Sequence, residues 1–102
     1  MLLEKARDSF LACTQFDRNL PQSWLLLSGV DNLLGHWQEA GDAATRVLQI
    51  DPESLEAYLS MARAEIGLGN TSSARHYLDI LLEKDPHNAE GNALLEELAK
   101  SP

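Results

Sequence analysis

The sequence predicts an all-α fold, a helical-repeat solenoid of about six helices arranged in antiparallel pairs. Apolar residues recur at spacings of three and four along almost the whole chain, and alternating runs of strand type are absent. The stretch LGHWQEAGDAATRVLQIDP, residues 34–52, returns in degraded form as LGNTSSARHYLDILLEKDP, residues 68–86, displaced by 34 residues. Short helical pairs at a fixed interval are typical of solenoids, in which each pair needs the next to bury its apolar face.

Glycine and proline signals divide the chain into these helices, because glycine adopts the left-handed cap and the residue before proline is biased away from helix. We expect the first helix to end near Phe16 or Asp17. The fourth is expected to be capped by Asp51 or Ser54, and the fifth by Asn70 or Thr71. The predicted organisation is one domain over 1–102: a partial repeat in 1–18, full repeats in 21–54 and 55–88, and a terminal capping helix in 89–102.

The residues that recur define a motif. The first full repeat carries Trp24, Leu27, Ala40 and Pro52, and a leading half repeat carries Ala6 and Phe10. The second repeat matches by residue type at Tyr58, Met61, Ala62, Ala74, Leu78 and Pro86. This pattern resembles the tetratricopeptide repeat family, whose unit is about 34 residues long. The resemblance implies a right-handed solenoid that acts as a protein–protein interaction module.

The composition limits the classes of partner that the chain can bind. Eight basic and sixteen acidic residues give a net charge of −8, which disfavours nucleic acid and anionic membranes. No apolar run is long enough to span a bilayer, and the charged N-terminus does not read as a secretion signal. We therefore expect a cytoplasmic chain, or else a fragment of an exported or membrane-anchored protein. The single cysteine, Cys13, is expected to be a small core residue, since it lies on the apolar stripe of the first helix.

The resemblance also implies a binding surface, because the first helix of each pair lines a concave groove in such solenoids. The positions that correspond to the groove are Leu25, Gly29, Asn32, Leu33, Glu56, Leu59, Arg63, Ile66, Glu90, Ala93 and Glu97. Leu25, Leu59 and Ile66 would suit an apolar side chain of an incoming peptide, and the glutamates would favour one with a basic flank. The alternative is that this strip is plain surface or packs on a neighbouring segment.

Two groove positions allow two interpretations each. Gly29 either admits a ligand backbone or, as we expect, allows close helix packing. Arg63 either receives a carboxylate or pairs with Glu56 or Glu97. One subgroup of the family grips the C-terminal carboxylate of chaperones with Lys, Asn and Arg side chains. The corresponding residues here are Leu25, Gly29, Ser60, Glu90 and Leu94, so that interpretation is rejected.

Little in the sequence suggests catalysis or a cofactor. The pairs His36 with Glu39 and His87 with Glu90 have a spacing that can place two metal ligands on one helix face. Both pairs begin at a turn and lack a third ligand nearby, so capping or surface roles explain them better. We expect no enzyme activity and no cofactor.

The first helix raises a second functional possibility. It lacks the partner helix that a full repeat would provide, so Leu3, Phe10 or Phe16 could be exposed on one side. We expect the chain to belong to a longer repeat array, or to pair with another copy through this helix. The alternative to a peptide-binding module is therefore a structural or dimerisation segment with no peptide ligand.

Overall fold

A computed structural model describes residues 2–100, and these residues form six α-helices and no strand, which confirms the predicted fold class. The helices are α1 Leu2–Phe16, α2 Pro21–Leu34, α3 Trp37–Ile50, α4 Leu55–Gly67, α5 Thr71–Lys84 and α6 Ala89–Lys100. α2 begins at Pro21, because proline fits the first helical position, where the missing N–H has no intrahelical partner.

The helices stack as a layered array. The most extensive contacts lie within the pairs α2–α3 and α4–α5, and α2 also contacts α4 directly. We call α2, α4 and α6 the first helices, and α1, α3 and α5 the second helices. The molecule measures 39 × 29 × 19 Å along its principal axes.

The turns within the two pairs are built alike. Gly35 and Gly69 have φ angles of +76° and +81°, a left-handed conformation that a side chain would strain. Each glycine N–H and the following N–H return to carbonyl groups of the preceding helix, from Gly35 and His36 in one turn and from Gly69 and Asn70 in the other. The equivalent donors and acceptors lie 34 residues apart, so the repeated glycine fixes the repeated turn.

The turns between pairs are held by one recurring hydrogen bond. The side chain of Trp24 donates to the carbonyl of Arg18, and the hydroxyl of Tyr58 donates to the carbonyl of Pro52. Asn92, the next equivalent position, donates its amide to the carbonyl of Pro86. The donor is always six residues after the acceptor. A side chain in the first helix thus ties each helix to the turn before it.

The buried core lies between the helices of each pair. Ala40 and Ala74, which the sequence places where helices approach closely, are both fully buried. A continuous apolar cluster lies in the last three helices and consists of Ala62, Ala74, Leu78, Leu81 and Leu98. The first three helices instead bury three polar side chains completely, Thr14, Ser28 and Asp31.

One prediction about α1 is wrong. Cys13 is exposed instead of buried. Phe16, which was expected to be open on one side of the helix, is 94% exposed. The face of α1 that meets α2 carries Arg7 and the buried hydroxyl of Thr14. The apolar stripe is therefore only partly covered, with Ala6 and Phe10 half-buried, and a specific polar contact joins α1 to α2.

That contact is an ion pair centred on a buried carboxylate. Arg7 Nε lies 2.5 Å from Asp31 Oδ1, and His36 Nδ1 lies 3.2 Å from the same oxygen. The other oxygen, Asp31 Oδ2, is buried without a hydrogen-bond partner. A buried carboxylate strongly favours a cation beside it. Asp31 thus binds α1 to α2 and secures the turn into α3.

Candidate functional site

A groove of about 860 Å³ runs across the three first helices. It is lined by Leu25, Leu26, Gly29, Val30, Asn32, Leu33, Trp37, Glu56, Leu59, Ser60, Arg63, Ile66, Gly67, Leu94 and Glu97. Leu33 is 71% exposed and Leu26 is 51% exposed. Apolar side chains of this size, held together in a concave surface, are the usual lining of a protein or ligand site.

The structure brings most of the sequence-predicted site residues into this groove. Those that line it are Leu25, Gly29, Asn32, Leu33, Glu56, Leu59, Arg63, Ile66 and Glu97. Ala93 and Glu90 are exposed but lie outside the lining. Glu90 still bears on the groove, because its Oε2 atom lies 2.7 Å from Arg63 Nη2.

Arg63 therefore pairs across to the last helix, with a carboxylate other than the two proposed from the sequence. Both side chains of this pair are largely exposed, at 44% for Arg63 and 62% for Glu90. Exposed pairs of this kind contribute little to stability. The guanidinium group is held at the groove edge and is already partly neutralised.

Other lining residues could not be assigned from the groove positions of first helices alone. Trp37 comes from a second helix, and it reaches the groove by packing over Gly67. A methyl group on Gly67 would come within 2.1 Å of Trp37 Cδ2. The only sequence signal for this contact is the pair itself, a large aromatic residue and a glycine that lies within a helix and lacks a turn role.

Gly29 corrects a prediction. A methyl group built on this residue would meet no atom within 4 Å, apart from its own neighbours along the helix. Close helix packing therefore does not explain this glycine. It leaves a shallow depression in the groove wall between Leu25 and Leu33, both of which also line the groove.

Polar side chains form the seam between α2 and α4. The hydroxyl of Ser28 donates to the carbonyl of Ala40 and lies 2.5 Å from the hydroxyl of Ser60. Asn32 donates its amide to both the hydroxyl and the carbonyl oxygen of Ser60. Its own oxygen, Asn32 Oδ1, is buried without a partner. Buried hydrogen bonds of this kind fix the relative position of two helices.

The equivalent positions of α4 and α6 carry apolar side chains. Ala62, Leu94 and Ile66 stand 34 residues after Ser28, Ser60 and Asn32. Leu94 and Ile66 pack against the core cluster that contains Ala62. The groove floor is therefore polar at one end and apolar at the other, although the backbone repeats.

The histidine pairs and the cysteine adopt no arrangement for metal chemistry. Within residues 2–100, no group of three or more His, Cys, Asp or Glu side chains could hold a metal ion. His36 faces Asp31 at the start of α3, and Glu90 faces Arg63. None of the six described helices combines the length and apolar character needed to cross a membrane.

A family model for the tetratricopeptide repeat matches residues 33–98, well over half of the sequence. The chain belongs to the tetratricopeptide repeat family. Members are protein–protein interaction modules and are generally not enzymes. Protein–protein interaction is therefore the functional class of this chain.

Two solved tetratricopeptide repeat domains share this fold, each with a TM-score of 0.91 over 97% of this chain and 82% of the other. One is a domain of Arabidopsis OM64, at 19% identity. The other is the second such domain of human RPAP3, solved with the HSP70 peptide SGPTIEEVD, at 17% identity. Identities this low establish the shared fold alone.

A sequence relative is pre-mRNA-splicing factor 6 of Saccharomyces cerevisiae. It is 31% identical over 88 residues, which are 85% of this chain. The match spans about a tenth of that protein, at 10% of its length. The shared segment is thus a small part of a much longer protein in that relative.

Proposed function

We propose that the groove binds a segment of a partner protein that carries apolar side chains and a basic flank, and that the chain serves as a scaffold or assembly factor. The observation that carries this proposal is the apolar groove of about 860 Å³ across α2, α4 and α6. Removal of the exposed apolar surface of Leu26 and Leu33 from water is favourable. Binding of an apolar side chain of a partner is therefore favoured there.

The preference for a basic flank follows from charge. Glu56 and Glu97 line the groove, Glu90 lies at its edge, and the only cation in its lining, among the described residues, is Arg63, already paired. The whole chain carries a net charge of −8. A field of this sign raises the encounter rate with basic segments and opposes acidic ones.

This preference separates the proposed ligand from the acidic HSP70 peptide bound by the RPAP3 domain. Leu25, Gly29 and Ser60 replace cationic or amide residues that would hold a terminal carboxylate. Glu90 would repel one. We propose that this groove takes internal segments rather than acidic chain ends.

The geometry favours a rigid site. The Ser28, Ser60 and Asn32 hydrogen bonds hold two walls of the groove in place before any ligand arrives. A preformed site loses less conformational entropy on binding. We further propose that the module works in the cytoplasm, where a reducing environment keeps the exposed thiol of Cys13 free.

Selection from a random peptide library displayed on phage tests this function and requires no identified partner. We expect enriched peptides to combine large apolar residues with Lys or Arg. The affinity of a labelled peptide, measured by fluorescence anisotropy, should fall at least about tenfold in the Leu25→Asp, Leu59→Asp variant. The reason is that both leucines offer apolar surface in the groove.

A charge-matched control separates groove contact from long-range repulsion. The Gln49→Asp, Ser72→Asp variant adds the same two negative charges at exposed positions outside the groove. Its affinity should stay within about twofold of the natural chain. Equal losses in both variants, or enrichment of acidic peptides, would contradict the proposal.

A further inference from the structure

The groove lacks a side chain at one of three equivalent positions. Gly29, Arg63 and Glu97 stand 34 residues apart on α2, α4 and α6, and all three line the groove. Arg63 and Glu97 project long side chains from this position, whereas Gly29 projects none. The groove wall therefore recedes at Gly29.

This position is open to solvent even where a first helix precedes it. Arg63 lies on α4, which α2 precedes and contacts, and the side chain of Arg63 is still 44% exposed. A further helix placed before α2 would leave Gly29 open in the same way. The opening at Gly29 thus belongs to the groove and does not depend on where the sequence starts.

No structural role explains a glycine at this position. Gly29 lies within α2, where glycine is less favourable than alanine because it loses more backbone freedom on folding. The positive φ angles belong to other glycines, Gly35 and Gly69. A methyl group on Gly29 would meet no atom within 4 Å, its own helical backbone aside. Neither turn geometry nor packing requires glycine here, and what its missing side chain provides is space in the groove.

The space over Gly29 has apolar sides. Leu25 stands one turn before Gly29 on α2, and Leu59 is the equivalent residue of α4. Both leucines are half-buried and line the groove. The charged end of Arg63 is directed to the far side, since its Nη2 atom lies 2.7 Å from Glu90 Oε2 on α6. The surroundings of Gly29 therefore suit an apolar group.

A ligand backbone would fit this space poorly. Asn32, one turn after Gly29, donates its amide to Ser60, and its Oδ1 atom is buried. A peptide group laid on Gly29 would lose its water without gaining a hydrogen bond from Asn32, which is unfavourable. An apolar side chain needs no such partner and gains from leaving water.

We propose that Gly29 forms an anchor subsite, which receives one large apolar side chain of the bound segment, such as Phe, Trp or Leu, between Leu25 and Leu59. This inference rests on the proposed function and specifies it, because it assigns the size selection in the groove to Gly29. The anchor lies on the α2 side. The basic flank of the same segment extends toward α6, which carries Glu90 and Glu97.

Parallel selections from a phage-displayed library of random peptides test the subsite. The natural chain should enrich peptides that carry a large apolar residue at a constant distance from Lys or Arg. The Gly29→Leu variant fills the subsite with its own side chain. It should therefore enrich small residues at the same peptide position.

A labelled peptide from the natural-chain selection makes the test quantitative by fluorescence anisotropy. Its affinity should fall at least about tenfold in Gly29→Leu. When the anchor residue of the peptide is replaced by alanine, Gly29→Leu should bind that peptide at least as tightly as the natural chain does, because the leucine occupies the vacated space. Compensation of this kind shows that the two side chains compete for one space.

Gly41→Ala is the matched control for Gly29→Ala. Gly41 lies within α3 and outside the groove lining, and a methyl group there would meet Ala64 Cβ at an ordinary distance of 3.8 Å. Both alanine variants should raise the midpoint of thermal unfolding, because alanine is favoured over glycine in a helix. Only Gly29→Ala should also weaken peptide binding, by about threefold. A purely structural position would not change stability and affinity in opposite directions.

Two results would overturn the inference and leave the proposed function standing. One is a peptide whose affinity falls in the Leu25→Asp, Leu59→Asp variant but not in Gly29→Leu. The other is an equal loss in Gly29→Leu for the peptide and for its alanine form, which would place the ligand backbone over Gly29. A library that yields no binding peptide would instead overturn the proposed function, and the anchor subsite with it.

Discussion

The N-terminal half of the molecule, α1 to α3, completely buries three polar side chains beside its apolar core and exposes large apolar side chains, whereas the C-terminal half, α4 to α6, has an apolar cluster inside and a largely polar last helix. The first half buries Asp31 and Ser28, whereas Leu33 and Phe16 are open to solvent. The second half contains the apolar cluster around Leu78. The last helix presents mostly polar side chains to solvent, among them Glu90, Asn92, Glu96, Glu97 and Lys100.

The two halves follow one backbone plan, so their difference lies in side chains at equivalent positions. A repeat fixes where helices cross and turn. It leaves open whether the contact between layers is made by hydrogen bonds or by apolar packing. The exposed apolar side chains of the first half offer more surface for further association than the polar surface of the last helix does.

The largest expected effect comes from breaking the polar interior of the first half. Arg7→Met leaves Asp31 buried without its cation, which should lower the free energy of unfolding by about 3–5 kcal/mol. Urea denaturation measures this loss, and hydrogen exchange should show α1 released first. Lys5→Met on the same helix, where the side chain is exposed, should change stability by less than about 0.5 kcal/mol.

The double variant Arg7→Met, Asp31→Leu sharpens the same point. It replaces the ion pair by apolar side chains and should recover most of the lost stability. A double variant no more stable than Arg7→Met would show that Asp31 acts through contacts other than Arg7.

The next largest change in stability is expected at the contact between Trp37 and Gly67, where the two halves meet. Gly67→Ala would push its methyl group into the Trp37 ring and should cost about 1–3 kcal/mol. Gly29→Ala, which meets open space within a helix, should instead stabilise the chain by about 0.5–1 kcal/mol. Thermal unfolding of the Gly67→Ala and Gly29→Ala variants tests both predictions. Equal effects at the two glycines would mean that the Trp37 ring moves aside freely.

Exchanging the two seams gives a smaller effect. Ala62→Ser places a hydroxyl in the apolar cluster and should cost about 1–2 kcal/mol. Ser28→Ala removes the hydrogen bonds to Ala40 and to Ser60 and should cost about 1–2 kcal/mol, since Ser60 still accepts from Asn32. The urea midpoints of the two variants measure the two changes in stability, provided that the free energy of unfolding falls with urea concentration at the same slope as in the natural chain. A gain in stability from Ala62→Ser would remove the distinction between the halves.

The smallest effect belongs to the exposed ion pair of the second half. The hydrogen bond to Glu53, 2.6 Å away, raises the pKa of Lys84 above its usual value. A raised pKa means that the stabilisation is complete at pH values below the unfolded pKa and is lost as pH rises through the folded one. The difference in stability between the natural chain and Lys84→Met, measured from pH 8 to 12, should therefore shrink at the alkaline end. A stability difference that stays constant from pH 8 to 12 would exclude the ion pair with Glu53 as the cause of that difference.

Much of the fold could be predicted because its signals are local. Glycines at left-handed turns, prolines after Asp51 and Asp85, and alanines at crossings act within a few residues of where they stand. The orientation of α1 could not be predicted. The apolar stripe through Cys13 suggested a core face, but α1 meets α2 through a contact across 24 residues, between Arg7 and Asp31, and Cys13 is left exposed.

The candidate site shows the same limit. Positions on the first helices follow from the repeat, and most of the predicted ones do line the groove. Trp37 enters from a second helix only because Gly67 leaves room for its ring. Which carboxylate approaches Arg63 also depends on the position of α6. Such contacts join residues far apart in sequence, and periodicity does not encode them.

The serine seam has a mechanical consequence. Each repeat of a helical solenoid contacts only its neighbours, so a change in curvature changes the angle between successive first helices. Between α2 and α4, such a change would pull apart Ser28, Ser60 and Asn32 and strand their buried polar groups. Ile66 and Leu94, at the equivalent positions of α4 and α6, pack against the apolar cluster, and such packing has no directional bond to break. Bending under load should therefore concentrate at the junction of α4 and α6, and the junction of α2 and α4 should be the stiffer of the two.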